Sequence, residues 1–220
     1  MNRLIIICEG ETELEFCKNI LKPYFLSKNI EISYPKIKHS NGGIVSWSVL
    51  KKQLLNHLLK EKCYVTLFID LYGIKDSYKY PSWEESKTIV DKNKRIGVLE
   101  QAMLDDIPEK YKRFFIPYIQ LHEFEVLLFY DFNTFENNIP SRSFVGREEL
   151  EEVLAKFPNS EMINETITNS PSHRLKRIIS GYDKVLYSYC IASEIGLANI
   201  RSKCTRFDMW IERLERISFE

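Results

Sequence analysis

Apolar residues gather into three unbroken runs, and each run ends in acid. Leu4–Cys8 leads into Glu9-Gly10-Glu11-Thr12-Glu13, Val65–Ile69 into Asp70-Leu71-Tyr72-Gly73, and Phe114–Gln120 into Leu121-His122-Glu123-Phe124-Glu125. Runs of this kind, rich in β-branched and aromatic side chains, predict strands buried on both faces, as in a parallel sheet. Between them the apolar spacing becomes helical: Leu14, Cys17 and Leu21 share a stripe over 12–24 that closes near Pro23, and Leu50, Leu54 and Leu58 share one over 46–60. A long helix is expected over 86–106, and another from His122-Glu123 to about Tyr130. The segment 30–38 reads as a short strand that Pro35 confines to an edge. Ser40-Asn41-Gly42-Gly43 marks a turn and 73–83 a loop. After Asp131 no long apolar run recurs, and helices are predicted over 147–157, 171–179, 184–195, 197–204 and 207–217, with Ser170-Pro171 as a start signal. The expectation is an α/β chain: a mostly parallel sheet flanked by helices in residues 1–130, with a helical C-terminal part, 131–220, packed on it.

In an open α/β sheet, ligands bind outside the carboxyl ends of the strands. Acids at three such ends can therefore meet in one crevice, where their mutual repulsion calls for a cation. With oxygen donors alone, that cation is expected to be Mg²⁺ or Mn²⁺.

Each acid also has a structural explanation. Thr12 can cap the helix that follows, with Glu13 and Glu15 favourable in its first turn; this accounts poorly for Glu9, directly behind a buried strand. Asp70 before Tyr72-Gly73 can form an Asx turn, Asp76 suits a solvated loop, and Glu123 and Glu125 suit the first turn of a helix. His122 reads equally as a half-buried histidine. A zincin helix needs a second His where Val126 stands, and the chain has 4 His and no CxxC pair. No Walker loop follows Gly42-Gly43 and no G-x-S-x-G elbow occurs.

The 220 residues are 44% hydrophobic and carry 31 basic against 31 acidic side chains, enough apolar material for a real core and no general attraction to polyanions. Basic clusters at Lys92-Lys94-Arg95, Lys110-Lys112-Arg113 and His173-Arg174-Lys176-Arg177 read as solvated faces; the last opens a helix, where phosphate is also favoured. Five scattered cysteines suit a reducing cytoplasm, the N-terminal apolar run is too short for a secretory signal, and no run is long enough to span a membrane.

Glu9-Gly10-Glu11-Thr12-Glu13 closing a first strand, with Asp70 closing a later one, resembles the Toprim fold of topoisomerases, bacterial primases, small ribonucleases and nucleases of the overcoming-lysogenization-defect class. Together with Ser40-Asn41-Gly42-Gly43, Gln120–Glu125, Ser170–Leu175 and the tail from Ile195 to Trp210, the chain is similar to a bacterial Toprim-like family often encoded beside an ABC-type ATPase in defence loci. The resemblance implies a nuclease subunit in which Glu9 is the acid/base or a metal ligand, Asp70 the first metal-holding Asp and Glu13 the second acid. Tyr72 stands where the second Asp is usual, so Glu123 or Glu125 is the expected substitute, with His122 beside them as orienter or proton carrier. Ser172, Arg174 and Lys184 are the implied phosphate contacts. Nucleic acid and the ATPase are the implied partners, and the reading admits a homo-oligomer. The alternative is a non-catalytic Toprim-like module that binds nucleic acid or regulates the ATPase; Tyr72 favours it.

Overall fold

The computed structural model describes residues 2–40, 43–60, 62–164 and 167–218. Strands β1 (Asn2–Cys8), β2 (Ile30–Ser33), β3 (Tyr64–Phe68) and β4 (Phe115–Ile116) form one sheet in the order β2-β1-β3-β4, with every pairing parallel. The two longest runs are thus the two central strands, in register from Leu4↔Tyr64 to Cys8↔Phe68. Ile5, Ile7, Val65, Leu67 and Ile69 pack into one cluster with Leu50 and Leu54 of α3 (Trp47–Lys60) and Ile96, Leu99 and Met103 of α5 (Lys92–Asp105). On alternate positions, Phe68 meets Phe16 at 6.0 Å and Trp210 at 5.1 Å between ring centroids, and Tyr118 stacks on Trp210 at 4.3 Å. The Trp210 indole donates to Thr66 Oγ1 (2.9 Å), whose hydroxyl donates to the Ile116 carbonyl (2.6 Å). Burial on both faces is why these runs show no polar alternation.

The first crossover is longer than its pattern predicts. Helix α1 (Glu11–Phe16) passes through a π-helical turn, Cys17–Leu21, into α2 (Lys22–Ser27). A proline ring collides with the carbonyl four residues back in a regular helix; here the Lys22 N–H bonds the Cys17 carbonyl five residues back, and the chain continues through Pro23. The edge position of β2 is as expected. The helix expected over 86–106 instead starts at Asp91, whose carboxylate accepts from the Asn93 and Lys94 N–H groups, after the separate short helix α4 (Trp83–Ser86). Helix α6 (Glu109–Lys112) precedes β4. The third run pairs at Phe115–Ile116, stops at Pro117, which has no N–H, and pairs again where Gln120 N–H donates to Ile69 O (2.7 Å) and Leu71 N–H to Gln120 O (3.1 Å).

The chain divides into two compact units, Met1–Leu121 with Trp210–Glu220, and His122–Met209. The boundary expected at 130 therefore lies earlier, and the last segment belongs to the sheet-bearing unit, where Trp210 fills one face. In the second unit, the helix expected from His122 is a 3-10 turn, Phe124–Leu128, because His122 adopts φ 67° and Glu123 is extended. Helices α7 (Phe132–Asn138), α8 (Arg147–Lys156), α9 (Pro171–Ile178) and α10 (Lys184–Lys203) follow, and α11 (Thr205–Glu215) begins there. Asp131 caps α7, an element the apolar pattern does not announce. The two helices expected on either side of Gly196 are the arms of α10, broken at φ 73°, ψ 154°. Among the described residues this unit has no strand, only a bridge between Phe144 and Ile179. Among them, too, no helix is long and apolar enough to cross a membrane.

Candidate functional site

Strands β1 and β3 are neighbours and run the same way, so the residues that follow them leave at the same end of the sheet. Glu9 N–H donates to the Phe68 carbonyl (3.0 Å), and Asp70 N–H donates to Glu9 Oε2 (2.9 Å). The Glu9 carboxylate is thereby fixed over the neighbouring strand end, and Asp70 is buried at 7% exposure. The chain then makes one 3-10 turn, Leu71–Gly73. A Cβ at Gly73 would stand 2.9 Å from Glu9 Oε1 and 2.6 Å from Ile44 Cδ1; one at Gly43, where φ is 102°, would stand 4.0 Å from the same oxygen. Glycines from two loops thus let backbone approach one carboxylate. Asn41 and Gly42 of the same predicted turn lie outside the described residues. Tyr80 is buried beside this centre; burial first, and the Glu9 charge second, lift its hydroxyl well above the usual tyrosine range. Tyr72 is 45% exposed on the 3-10 turn.

Glu13 has a structural partner. Gly10, not Thr12, is the N-cap of α1, and Glu13 Oε2 accepts from the Gly10 N–H (2.9 Å), the return half of a capping box. Below it, the Cys8 and Cys17 sulfurs lie 3.7 Å apart, and burial pushes the Cys8 thiol up, away from the thiolate form. Asp76 accepts from the Trp83 indole (2.7 Å) and pairs with Lys87 (2.8 Å).

The remaining sequence-predicted residues lie in the second unit, and most of them pair with one another. Glu123 Oε2 accepts from the Ser172 N–H and Oε1 from the Ser172 hydroxyl, both at 2.9 Å. The start of α9, read as a phosphate site, is thus held by a carboxylate of the same unit. Lys184 Nζ lies 3.1 Å from Glu125 Oε1. Glu125 is fully buried, and that burial raises its carboxyl above the usual range, with Lys184 pulling the other way. Arg174 is buried, with its Nε donating to Asn169 O (3.1 Å) and its Nη1 to Glu149 Oε1 (3.3 Å). His122 is buried with Nδ1 3.2 Å from Asn164 Nδ2.

Among the described residues, no group of three or more His, Cys, Asp or Glu side chains is placed to hold a metal ion. The donors at the strand ends of the first unit are the carboxylates of Glu9 and Asp70, hard oxygen ligands in a partly buried setting. The sequence reading singled out these two and missed what surrounds them. Gly73 and Gly43 touch Glu9 only through the fold, and a basic pocket assembled from residues 38–39 and one face of α3 is split between two segments. The Gly-Gly pair in the turn was the available signal for the first; nothing local signals the second.

None of the curated proteins and none of the solved structures compared with the chain matches it. The family described as a domain of unknown function, DUF4276, matches residues 8–215, a span that takes in all three acidic strand ends, and the chain belongs to that family.

Proposed function

We propose that this chain is the nuclease subunit of an ATPase-coupled bacterial defence system, hydrolysing phosphodiester bonds of nucleic acid with Mg²⁺ or Mn²⁺ held by Glu9 and Asp70. The observation that carries the reading is the hydrogen bond from the Asp70 N–H to the Glu9 carboxylate, at the adjoining ends of two parallel strands. Mg²⁺ is commonly bound through one or two carboxylates, its shell completed by waters and substrate phosphate, so two acids fit it without a third protein ligand. When bound, such an ion would offset charge on the scissile phosphate and acidify a water. Glu9 contributes a carboxylate whose orientation is set in advance by the Asp70 N–H. Gly43 and Gly73 keep side chains off the approach to it. Glu13 supports the turn from β1 into α1. Glu123, Glu125, Ser172, Arg174 and Lys184 receive no role at the metal or the phosphate, because each already has a polar partner within its own unit; nor does His122. The ABC-type ATPase, an expectation of the resemblance, supplies nucleotide chemistry for which this chain has no Walker loop. A chain with zero net charge has little general pull on phosphate backbones, so the isolated protein is expected to cut weakly.

The second reading is a non-catalytic module of the same fold that binds nucleic acid or regulates the ATPase. Tyr72 favours it, since a phenol is a poor ligand for Mg²⁺ near neutral pH. The test incubates the purified protein, with and without its neighbouring ATPase, with labelled single- and double-stranded DNA and RNA and Mn²⁺. Glu9→Gln and Asp70→Asn keep the backbone hydrogen bond but remove charge; both should abolish cleavage and leave binding intact or tighter. Tyr72→Asp should keep or raise cleavage. If neither wild type nor Tyr72→Asp cuts any substrate, yet both bind, the binding-module reading replaces the nuclease.

A further inference from the structure

A cavity of about 390 Å³ opens between the segment after β2 and one face of α3, lined by Lys38, His39, Ser48, Val49, Lys52, Gln53 and Asn56. Among the described residues, no carboxylate lines it. Ser48, Lys52 and Asn56 recur every four residues and so share one face of α3. The opposite wall is held by Gln53, whose Oε1 accepts from the Lys38 N–H (2.8 Å) and whose Nε2 donates to the Lys36 carbonyl (3.0 Å). Gln53 is buried at 5% exposure, so this fork is a fixed part of the core rather than a surface contact. Lys38, His39 and Lys52 are exposed, and among the described residues their side chains enter no ion pair. Most other basic clusters of the chain differ: Arg95 lies over the Trp83 ring, Arg113 over the Phe114 ring, Lys112 on Glu109, and Arg174 and Arg177 on Glu149.

The pocket lies beside Glu9. Cys8 N–H donates to Pro35 O and Ile37 N–H to Cys8 O, both at 2.9 Å, so residues 35–37 run alongside Cys8 as a continuation of the sheet. Neighbouring chains in a sheet are about 4.8 Å apart. The loop beyond Lys38 and His39 then returns to the Glu9 carboxylate at Gly43. Lys38 and His39 therefore follow directly on the segment that pairs with Cys8, the residue before Glu9, and Lys52 of α3 lines the same cavity. Carboxylates repel a polyanion, and a nucleic acid whose scissile phosphate is to reach them needs positive charge next to that point. Lysine ammonium groups contact phosphate as point charges without reading sequence, and Ser48 and Asn56 offer hydrogen bonds to phosphate or sugar of the kind common in such interfaces.

We propose that this pocket is the docking site for the phosphodiester backbone flanking the scissile phosphate, and that Lys38 and Lys52 are its principal contacts. The proposal rests on the nuclease reading of Glu9 and Asp70, and its test is built to fail separately. Fluorescence anisotropy is measured with a labelled single-stranded oligonucleotide, without divalent metal, on the Glu9→Gln protein across a series of salt concentrations. Adding Lys38→Gln and Lys52→Gln should weaken binding and lower the slope of log K against log salt by about 1.4, since each phosphate contact on a single strand contributes roughly 0.7. Thermal midpoints should not move, because both side chains are exposed. Lys22→Gln with Lys94→Gln, on α2 and α5, removes the same net charge elsewhere and should leave the slope unchanged. An unchanged slope in the first double variant, an equal drop in the control, or no binding by the parent protein at low salt would each overturn the proposal, and wild-type cleavage with Mn²⁺ in those cases would leave the nuclease reading standing. A lowered slope without any Mn²⁺-supported cleavage would uphold the docking site and remove the nuclease.

Discussion

Gly73 is the position where the candidate site tolerates least, and Gly73→Ala measures how closely its backbone approaches Glu9. The added methyl would stand 2.6 Å from Ile44 Cδ1, 3.0 Å from Ile44 Cγ1 and 2.9 Å from Glu9 Oε1, so both neighbours must shift. Overpacking of this kind typically costs about 1–3 kcal/mol. A chain of this length loses roughly 2–4 °C of thermal midpoint per kcal/mol, so the midpoint should fall by about 2–12 °C. The same substitution at Gly97, exposed within α5 and with nothing near its would-be Cβ, serves as the reference. There Ala should stabilise by about 0.5–1 kcal/mol, raising the midpoint by about 1–4 °C. Both substitutions remove similar freedom from the unfolded chain, so their difference isolates the native-state contact. Adding Ile44→Val to Gly73→Ala deletes the nearest atom; loss that persists beyond that of Ile44→Val alone belongs to the displaced carboxylate and the remaining Cγ1 contact, and cleavage should stay depressed along with it. Circular dichroism melts of the five proteins, with the cleavage assay beside them, suffice. A Gly73→Ala midpoint at or above wild type, with Gly97→Ala behaving as expected, would refute the close approach to Glu9.

Two predictions concern the second unit. Burial raises the Glu125 carboxyl, so its contribution to stability is fully present below the unfolded value of about 4.3 and is lost as pH rises through the higher folded value. Glu125→Gln does not titrate, and Lys184 is exposed enough to be resolvated at little loss; the midpoint of the variant relative to wild type should therefore climb from pH 4 to pH 8, and a flat difference would contradict the burial argument. Glu161 is buried and accepts from the Arg206 N–H (2.7 Å) and the Phe207 N–H (3.0 Å) at the start of α11. Glu161→Ala should cost about 1–3 kcal/mol by stranding those donors, with Glu161→Gln recovering part of it in urea titrations; equal stability of wild type and Glu161→Ala would show that water takes over the cap.

The parallel sheet was readable because Leu4–Cys8 is apolar at every position and Val65–Ile69 at all but Thr66, a pattern without polar alternation that calls for burial on both faces. Glu9 and Asp70 were readable for a related reason: polar residues directly behind such runs must sit at the strand ends. The elements misjudged are those decided by single backbone groups. Asp91 rather than Ser86 starts α5 because its carboxylate takes two N–H groups, and the π turn before Pro23 depends on one displaced hydrogen bond. The segment after His122 has an apolar pattern that suits a helix, yet its first residues are held outside helical geometry while the Glu123 carboxylate binds Ser172, nearly 50 residues away. The pairing of Glu123 with Ser172 and of Glu125 with Lys184 joins acids and bases that no spacing rule connects. Trp210 was visible as an apolar helical position, but its place against Thr66, Phe68 and Tyr118 depends on the chain returning to the first unit.

Strand order assigns the charges of the first unit their places. With the order β2-β1-β3-β4, the acids that follow β1 and β3 are centred on the sheet, and whatever follows the edge strand lies immediately beside them. Lys36 pairs with Glu11 at 2.6 Å and so is already neutralised. Lys38, in the turn that follows, lines the basic pocket with His39 and Lys52. A chain with equal numbers of acidic and basic groups can thus hold negative charge at one point and positive charge at another of the same unit. That separation is what a metal-assisted reaction on a polyanion requires: a carboxylate centre alone would repel the substrate, and a basic surface alone would bind it without acting on it.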